Sequence, residues 1–128
     1  MEREEVMGLL GKERRRFERR SVIEIKIDGI FYFKGDNQEL ITARIINISE
    51  GGLSFVLKKD ENKEAVAGKH LILKEIKGAE PLQSITDLEL EIKWIVVPPS
   101  FDHFGIGCEF INASEKVRAQ LRQFVHSK

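Results

Sequence analysis

The segment 88–97 has the sequence LELEIKWIVV, and apolar residues occupy every second position from 88 to 96. A period of two residues is typical of a β-strand with one buried face. Trp94 shares that face with Leu90 and Ile92, so we expect it in the core. Pro98 and Pro99 follow, and they end the strand because proline has no N–H to donate to a neighbouring strand.

The C-terminal part of the chain predicts one more strand and a helix. The segment 104–111, FGIGCEFI, has an apolar face that includes Cys108, and two glycines on its other face leave space for a neighbouring group. From residue 112 onward the apolar spacing changes to that of a helix, and its stripe consists of Val117, Leu121, Phe124 and Val125. Either Ser114 or Asn112 would cap this helix.

Five segments nearer the N-terminus also predict strands, because they alternate in polarity or are rich in β-branched residues. They are residues 22–27, 30–33, 40–48, 53–57 and 69–76. Turn-forming clusters separate several of them, and residues 2–10 predict a short N-terminal helix of one or two turns. Six or seven short strands followed by one helix indicate a mainly β protein, built as an antiparallel β-barrel with a C-terminal α-helix.

Length and composition indicate a single cytoplasmic domain. The chain has 128 residues, of which 41% are hydrophobic, and this is enough to bury a core without disulfides. No segment has the roughly 18 uncharged apolar residues of a membrane-spanning helix, and the acidic N-terminus is unlike a secretory signal. The single cysteine, Cys108, excludes an internal disulfide.

The charge is balanced overall but distributed unevenly. Lysines and arginines number 21, as do the acidic residues, yet residues 12–20 contain six basic and two acidic side chains. Residues 21–115 have sixteen acids and ten bases. A protein that grips a long nucleic acid has a broadly basic surface, whereas this one has a local cationic spot. Such a spot suits a compact anion better than a nucleic-acid polymer.

Signatures of catalysis and of metal or cofactor binding are missing from the sequence. The histidines have no metal-binding spacing; they are His70, His103 and His126. Cys108 falls on the apolar face of its predicted strand, which is typical of a core residue and not of a nucleophile. Gly51 and Gly52 are not followed by the lysine of a phosphate-binding loop. We therefore expect a protein that is not an enzyme and has no metal or cofactor.

Two short segments have the chemistry of a ligand site. Residues 13–20, ERRRFERR, are rich in arginine, whose planar guanidinium group matches phosphate oxygens and the edge of guanine. Residues 47–52, NISEGG, predict a turn in which Asn47 and Ser49 point to one side. Taken separately, the first is typical of a solvated basic linker and the second of an ordinary tight turn.

Together the two segments resemble the PilZ domain family of bacterial cyclic di-GMP receptors. The family signature is RxxxR followed by (D/N)xSxxG, and it is matched by Arg15-xxx-Arg19 and by Asn47-x-Ser49-xx-Gly52. The similarity covers residues 13–126. It implies a six-stranded, split antiparallel barrel with a C-terminal helix. It also implies two parts of the chain: an N-terminal arm, residues 1–12, that is helical or flexible, and a PilZ-like domain, residues 13–128.

The resemblance also implies a set of ligand contacts. Arg15 and Arg19 would bind the phosphates and guanines, with help from Arg14 and Arg16. Asn47 and Ser49 would hold a guanine edge, and Gly52 would permit the turn. The alternative register Arg16-xxx-Arg20 also fits RxxxR. The family form RRRFxR, which residues 14–19 match, favours Arg15-xxx-Arg19. Asn47 replaces the more frequent aspartate, and its amide offers one acceptor where a carboxylate offers two.

The function implied is that of a non-catalytic receptor for cyclic di-GMP. Binding would order the N-terminal arm and thereby regulate an unidentified partner protein in motility, exopolysaccharide secretion or pilus control, and the receptor could be a homodimer. Two alternatives stay open at this point. One is a barrel that binds single-stranded nucleic acid through the same arginines. The other is a PilZ-like scaffold that docks a protein and binds no nucleotide.

Overall fold

The computed structural model describes residues 18–22, 24–35, 39–58, 65–96 and 102–127. These residues form seven strands and one α-helix, with a 3-10 helix at Glu80–Leu82. The strands are β1 (Arg19–Ser21), β2 (Asp28–Phe33), β3 (Ile41–Ser49), β4 (Gly52–Lys58), β5 (His70–Lys77), β6 (Leu88–Val96) and β7 (His103–Phe110), and the helix is α1 (Glu115–His126). Residues 1–12, where we expect a helical or flexible arm, lie outside the described residues.

Six of the strands close into a barrel. The sheet order is β3, β2, β5, β6, β7 and β4, and β4 pairs back to β3. Every pairing is antiparallel. The additional strand β1 pairs with the C-terminal end of β3. The predicted fold, a mainly β barrel of six antiparallel strands with a C-terminal helix, is therefore confirmed.

The barrel interior is filled by the apolar faces that the alternating sequence predicts. Phe31 of β2 and Phe55 of β4 stack across it with their ring centroids 4.5 Å apart. Leu90 and Ile92 of β6 are almost completely buried in the same core. Burial of each such side chain stabilises the fold by about 1.5–3 kcal/mol, which is why the strands hold their register.

Helix α1 packs its apolar stripe against the barrel, as predicted. Leu121 and Phe124 are buried, and Val117 and Val125 pack against the core. Ser114 is the N-cap, since its hydroxyl accepts a hydrogen bond from the Val117 N–H. Asn112, the other candidate cap, accepts a hydrogen bond from the Glu89 N–H at 2.9 Å instead.

The strand predicted over residues 22–27 is wrong. Residues 24–26 form a turn, in which Lys26 has a φ of 57°. Ile25 is 46% exposed, whereas Ile27 is fully buried. The chain turns here because β1 and β2 both pair with β3, one beside each half of that strand. A local alternation of isoleucines could not reveal this shared partner.

Candidate functional site

Arg19 and Arg20, at the described end of the arginine-rich segment, lie beside the second segment where β1 pairs with β3. Arg19 is the direct partner of Ser49 in this antiparallel pair, and Ser21 is the partner of Asn47. Directly opposed residues of an antiparallel pair project to the same face of the sheet. Because Ile48 points into the core, this face is the outer surface of the barrel. Arg14, Arg15 and Arg16 lie outside the described residues.

The β3–β4 turn is held by the hydroxyl group of Ser49. Its oxygen accepts hydrogen bonds from the N–H groups of Gly51 and Gly52, both at 3.1 Å, and it donates to the Gly52 carbonyl oxygen at 3.2 Å. This is the local side-chain-to-backbone pattern that serine commonly forms in turns. Ser49 therefore has a role in shaping the turn, whether or not it also contacts a ligand.

Gly52 allows the backbones of β4 and β7 to pack closely. It is not one of the described glycines with a positive φ, so the turn does not depend on a left-handed glycine at this position. Gly52 instead pairs with β7, where a Cβ atom would overlap the carbonyl oxygen of Cys108. The absence of a side chain lets the start of β4 lie close against β7.

Glu50, between Ser49 and Gly52 in sequence, joins the turn to helix α1. Its carboxylate, which is only 11% exposed, accepts hydrogen bonds from Arg122 Nε at 3.0 Å, from an Arg122 terminal nitrogen at 2.8 Å and from Arg118 Nε at 3.2 Å. The hydrogen bonds and charge of Arg122, with those of Arg118, hold the pKa of Glu50 below its ordinary value. The sequence motif had not marked Glu50, because its partners are some 70 residues away along the chain.

Arg20 joins the other candidate segment to the same helix. Its guanidinium group donates to the Phe124 carbonyl oxygen at 2.9 Å and to Ser127 Oγ at 3.3 Å, and it lies 4.3 Å from the centroid of the Phe124 ring. A cation at this end of a helix satisfies a terminal carbonyl and is favoured by the helix dipole. Successive residues of β1 thus have different environments: Arg19 is on the outer face, and Arg20 is on α1.

Trp94 lies on the outer face of the barrel, which corrects the expectation that it packs in the core. The pairing of β6 with β7 shifts by one residue between Ile92 and Trp94, so the alternation of faces is reversed beyond this bulge. The side chain is 39% exposed, and its indole ring covers Gly107. The space that the sequence predicted beside the glycines of β7 is occupied by this ring.

A row of residues therefore crosses four strands on the outer face. Pairing connects Asn47 of β3 to Ser54 of β4, Ser54 to Gly107 of β7, and Gly107 to Trp94 of β6. We call these four residues the outer row. Ser21 of β1 extends it, because Ser21 is paired with Asn47. The row runs from a polar end at Asn47, near the two motifs, to an aromatic end at Trp94.

The remaining titratable groups form no catalytic arrangement in the part of the chain that the structure describes. Burial raises the pKa of Cys108 to about 12, so its thiol stays protonated. His70 Nδ1 lies 2.6 Å from Glu89, and Lys34 shares the same carboxylate at 2.9 Å. Within the described ranges no cluster of three or more His, Cys, Asp or Glu side chains could hold a metal ion. The described residues contain no helix with the length and hydropathy of a transmembrane span.

Replacing Glu50 with glutamine should lower the Tm by a few degrees at neutral pH, because two arginines lose their shared carboxylate. Since the pKa of Glu50 is depressed in the folded state, its stabilising contribution is present above the ordinary carboxyl pKa and is lost as the pH falls through the folded-state value. The difference in Tm between wild type and Glu50→Gln should therefore disappear on acidification. Thermal melts of both proteins from neutral to acidic pH test this expectation, and Glu75→Gln, at an exposed position, is the control. A Tm difference between wild type and Glu50→Gln that does not change with pH would contradict the ion pair.

Comparison with known proteins points to one family. The family model described as the PilZ domain matches residues 13–127. A search of curated proteins finds no match. Among solved structures, the chain is similar to the MrkH–c-di-GMP complex of K. pneumonia, with 23% sequence identity and a TM-score of 0.67 over 87% of this chain and 50% of that one.

Two further solved structures have the same fold. The PilZ domain of YcgR from Escherichia coli with c-di-GMP is 18% identical, with a TM-score of 0.63 and coverage of 88% of both chains. The Bacillus subtilis inhibitor of motility, MotI/DgrA, is 20% identical, with a TM-score of 0.62 over 88% of this chain and 49% of that one. The chain thus spans about half the length of MrkH and of MotI. At these identities the similarity establishes the fold.

Proposed function

The chain belongs to the PilZ domain family, and on this premise we propose that it is a cytoplasmic receptor for cyclic di-GMP. The ligand has two guanines and two phosphates. In this proposal the ligand is bound on one side by Arg15 and Arg19 of the N-terminal arginine-rich segment, assisted by Arg14 and Arg16. Asn47, Ser49 and Gly52 form the opposite side of the site on the β3–β4 turn.

The observation that carries the proposal is the pairing of Arg19 with Ser49. Thirty residues separate them in sequence, yet they share the outer face of one strand pair. A guanidinium group that lies beside a turn bearing an amide and a hydroxyl combines the donors that phosphate and guanine oxygens need with acceptors for the N–H groups of guanine. This combination suits a guanine nucleotide better than a simple anion.

The engagement of Arg20 with α1 supports Arg15-xxx-Arg19 over Arg16-xxx-Arg20 as the binding register. Arg20 already bonds the Phe124 carbonyl oxygen and Ser127 and stacks on the Phe124 ring. Recruiting it to a ligand would leave the end of the helix without these contacts. Arg19 does not share this position, because it is the direct partner of Ser49 on the outer face, beside the β3–β4 turn.

Regulation would follow from the charge of the N-terminal segment. Six of the nine residues 12–20 are basic, and a ligand with two phosphates neutralises their mutual repulsion. Binding would order the segment against the barrel and change the surface offered to an unidentified partner protein. Control of motility, exopolysaccharide or pili is the kind of output expected, and no catalytic step is required.

Titration with cyclic di-GMP should reveal a dissociation constant below about 1 μM, since several charge-assisted hydrogen bonds outweigh the cost of ordering a loop. Isothermal titration calorimetry measures affinity and stoichiometry. The single tryptophan gives an independent signal, because Trp94 lies at one end of the outer row and is partly exposed. Its fluorescence should change in proportion to the bound fraction.

GTP and cyclic AMP serve as controls and should bind much more weakly, because GTP has one guanine where the ligand has two and cyclic AMP has none. A single-stranded oligonucleotide should not displace the dinucleotide. Displacement by the oligonucleotide would favour a nucleic-acid-binding barrel, and absence of any heat with cyclic di-GMP would favour a scaffold that docks proteins. Either result would refute the proposed function.

A further inference from the structure

Ser54 is the one buried polar residue in the part of the chain that the structure describes. Its neighbours in sequence, Leu53 and Phe55, both point into the barrel core, so Ser54 projects to the outer face. It is nevertheless only 3% exposed. Among the described residues its hydroxyl makes no hydrogen bond, either with a side chain or with the backbone.

A buried hydroxyl without a hydrogen bond is costly. Proteins rarely keep such a group unless something else satisfies it, since its desolvation is uncompensated. Valine at this position would avoid the cost and is enriched in β-strands. The stability of the barrel therefore does not explain why residue 54 is a serine.

The neighbour of Ser54 across the strand pair, Asn47, is also a polar residue whose side chain has no hydrogen bond with a described residue. Asn47 is the direct partner of Ser54 in the β3–β4 pairing, which brings their Cβ atoms to about 4.5–5.5 Å. The Asn47 amide is half-buried and makes no hydrogen bond with any described residue. The half-buried Asn47 and the buried Ser54 are thus adjacent polar groups, on the side of the barrel where Arg19 and Ser49 meet.

We propose that Ser54 is a further ligand-binding residue, whose hydroxyl oxygen supplies the acceptor that Asn47 lacks. This inference rests on the proposed function. A guanine presents two neighbouring donors, N1–H and N2–H, and an aspartate in the position of Asn47 would accept both. The amide of Asn47 accepts only one, through Oδ1. In this proposal Ser54, the direct cross-strand partner of Asn47, accepts the second through its hydroxyl oxygen.

Trp94 helps to explain why Ser54 is buried. The indole ring covers Gly107, which is the partner of Ser54 on its other side. The two cross-strand neighbours of Ser54 are thus Asn47 on one side and the covered Gly107 on the other. A base edge that enters beside Asn47 meets an acceptor already shielded from water, where a hydrogen bond is stronger than at an open surface.

A double-mutant cycle tests the inference by calorimetry with cyclic di-GMP. In the wild-type background Ser54→Ala should weaken binding by about fivefold to tenfold, the loss expected for one neutral hydrogen bond. In the Asn47→Asp background the same change should have an effect of less than about twofold, because the carboxylate accepts both donors itself. Unchanged affinity of Ser54→Ala, or an equal loss in both backgrounds, would overturn the inference.

Thermal melting without ligand provides the second readout. Ser54→Ala removes an unsatisfied buried hydroxyl, so its Tm should equal or exceed that of the wild type. A lower Tm would mean that Ser54 is a structural residue, and this would also overturn the inference. If the wild type itself does not bind cyclic di-GMP, the proposed function fails and the inference with it; if the wild type binds and Ser54→Ala binds equally well, only the inference fails.

Discussion

Replacing Arg19 with alanine is expected to weaken the binding of cyclic di-GMP by about 10- to 100-fold, which corresponds to the loss of one or two charge-assisted hydrogen bonds. Arg19 lies opposite Ser49 on the outer face and is exposed, so its removal leaves no cavity in the core. Arg19→Lys should recover only part of the affinity, because an ammonium group keeps the charge but not the planar fork. Calorimetry on the three proteins at one ionic strength measures both effects.

Arg20→Ala is the matched control for this experiment. It makes the same change of charge one residue further along β1, but its guanidinium group is bonded to the C-terminal end of α1. We expect it to lower the Tm while the affinity for cyclic di-GMP stays within about threefold of wild type. The opposite pattern, in which Arg20→Ala loses binding and Arg19→Ala retains it, would assign the ligand to the register Arg16-xxx-Arg20.

Replacing Gly52 with alanine is expected to lower the free energy of unfolding by about 2–3 kcal/mol, which for 128 residues corresponds to a decrease in Tm of roughly 7–11 °C. The added Cβ would overlap the carbonyl oxygen of Cys108, and a backbone atom in a paired strand cannot move aside as a flexible side chain can. Thermal or urea unfolding measures the effect without any ligand.

Gly105→Ala provides the corresponding control on the strand that pairs with β4. A Cβ atom there would lie 3.8 Å from Trp94 Cζ3 and 3.9 Å from Val96 Cβ, which are ordinary van der Waals distances. The Tm of this variant should be equal to that of the wild type or slightly higher, since alanine loses less conformational freedom than glycine on folding. If Gly52→Ala melted at the same temperature as Gly105→Ala, the close approach of β4 to β7 would be refuted.

Side-chain periodicity predicted the parts of the fold that depend on local pattern. The alternation in residues 88–96 indicated β6, and the change of period after residue 112 indicated α1 with its buried Leu121 and Phe124. The same reasoning failed where the chain departs from regular geometry. The alternation around Ile25 falls in a turn, and the bulge before Trp94 exchanges the two faces of the strand.

The candidate site was recognisable only in part. The spacing of Arg15 and Arg19 and of Asn47, Ser49 and Gly52 marked both segments, because such motifs are local in sequence. The sequence marked Arg20 only through the alternative register Arg16-xxx-Arg20, and Glu50 and Ser54 carried no such signal. Their roles depend on neighbours that the fold supplies, namely helix α1 for the first two and the β3–β4 pairing for the third.

The sequence by itself determined the class of the protein: a β-barrel with a C-terminal helix and two short polar segments of a recognisable family. It could do so because alternation, helical spacing and turn chemistry act over a few neighbouring residues. Only the tertiary structure decided that Arg19 faces Ser49 while Arg20 binds α1, and that Trp94 lies outside the barrel. These outcomes depend on strand register, on a one-residue bulge and on hydrogen bonds between distant parts of the chain, and they follow from the closure of the whole barrel.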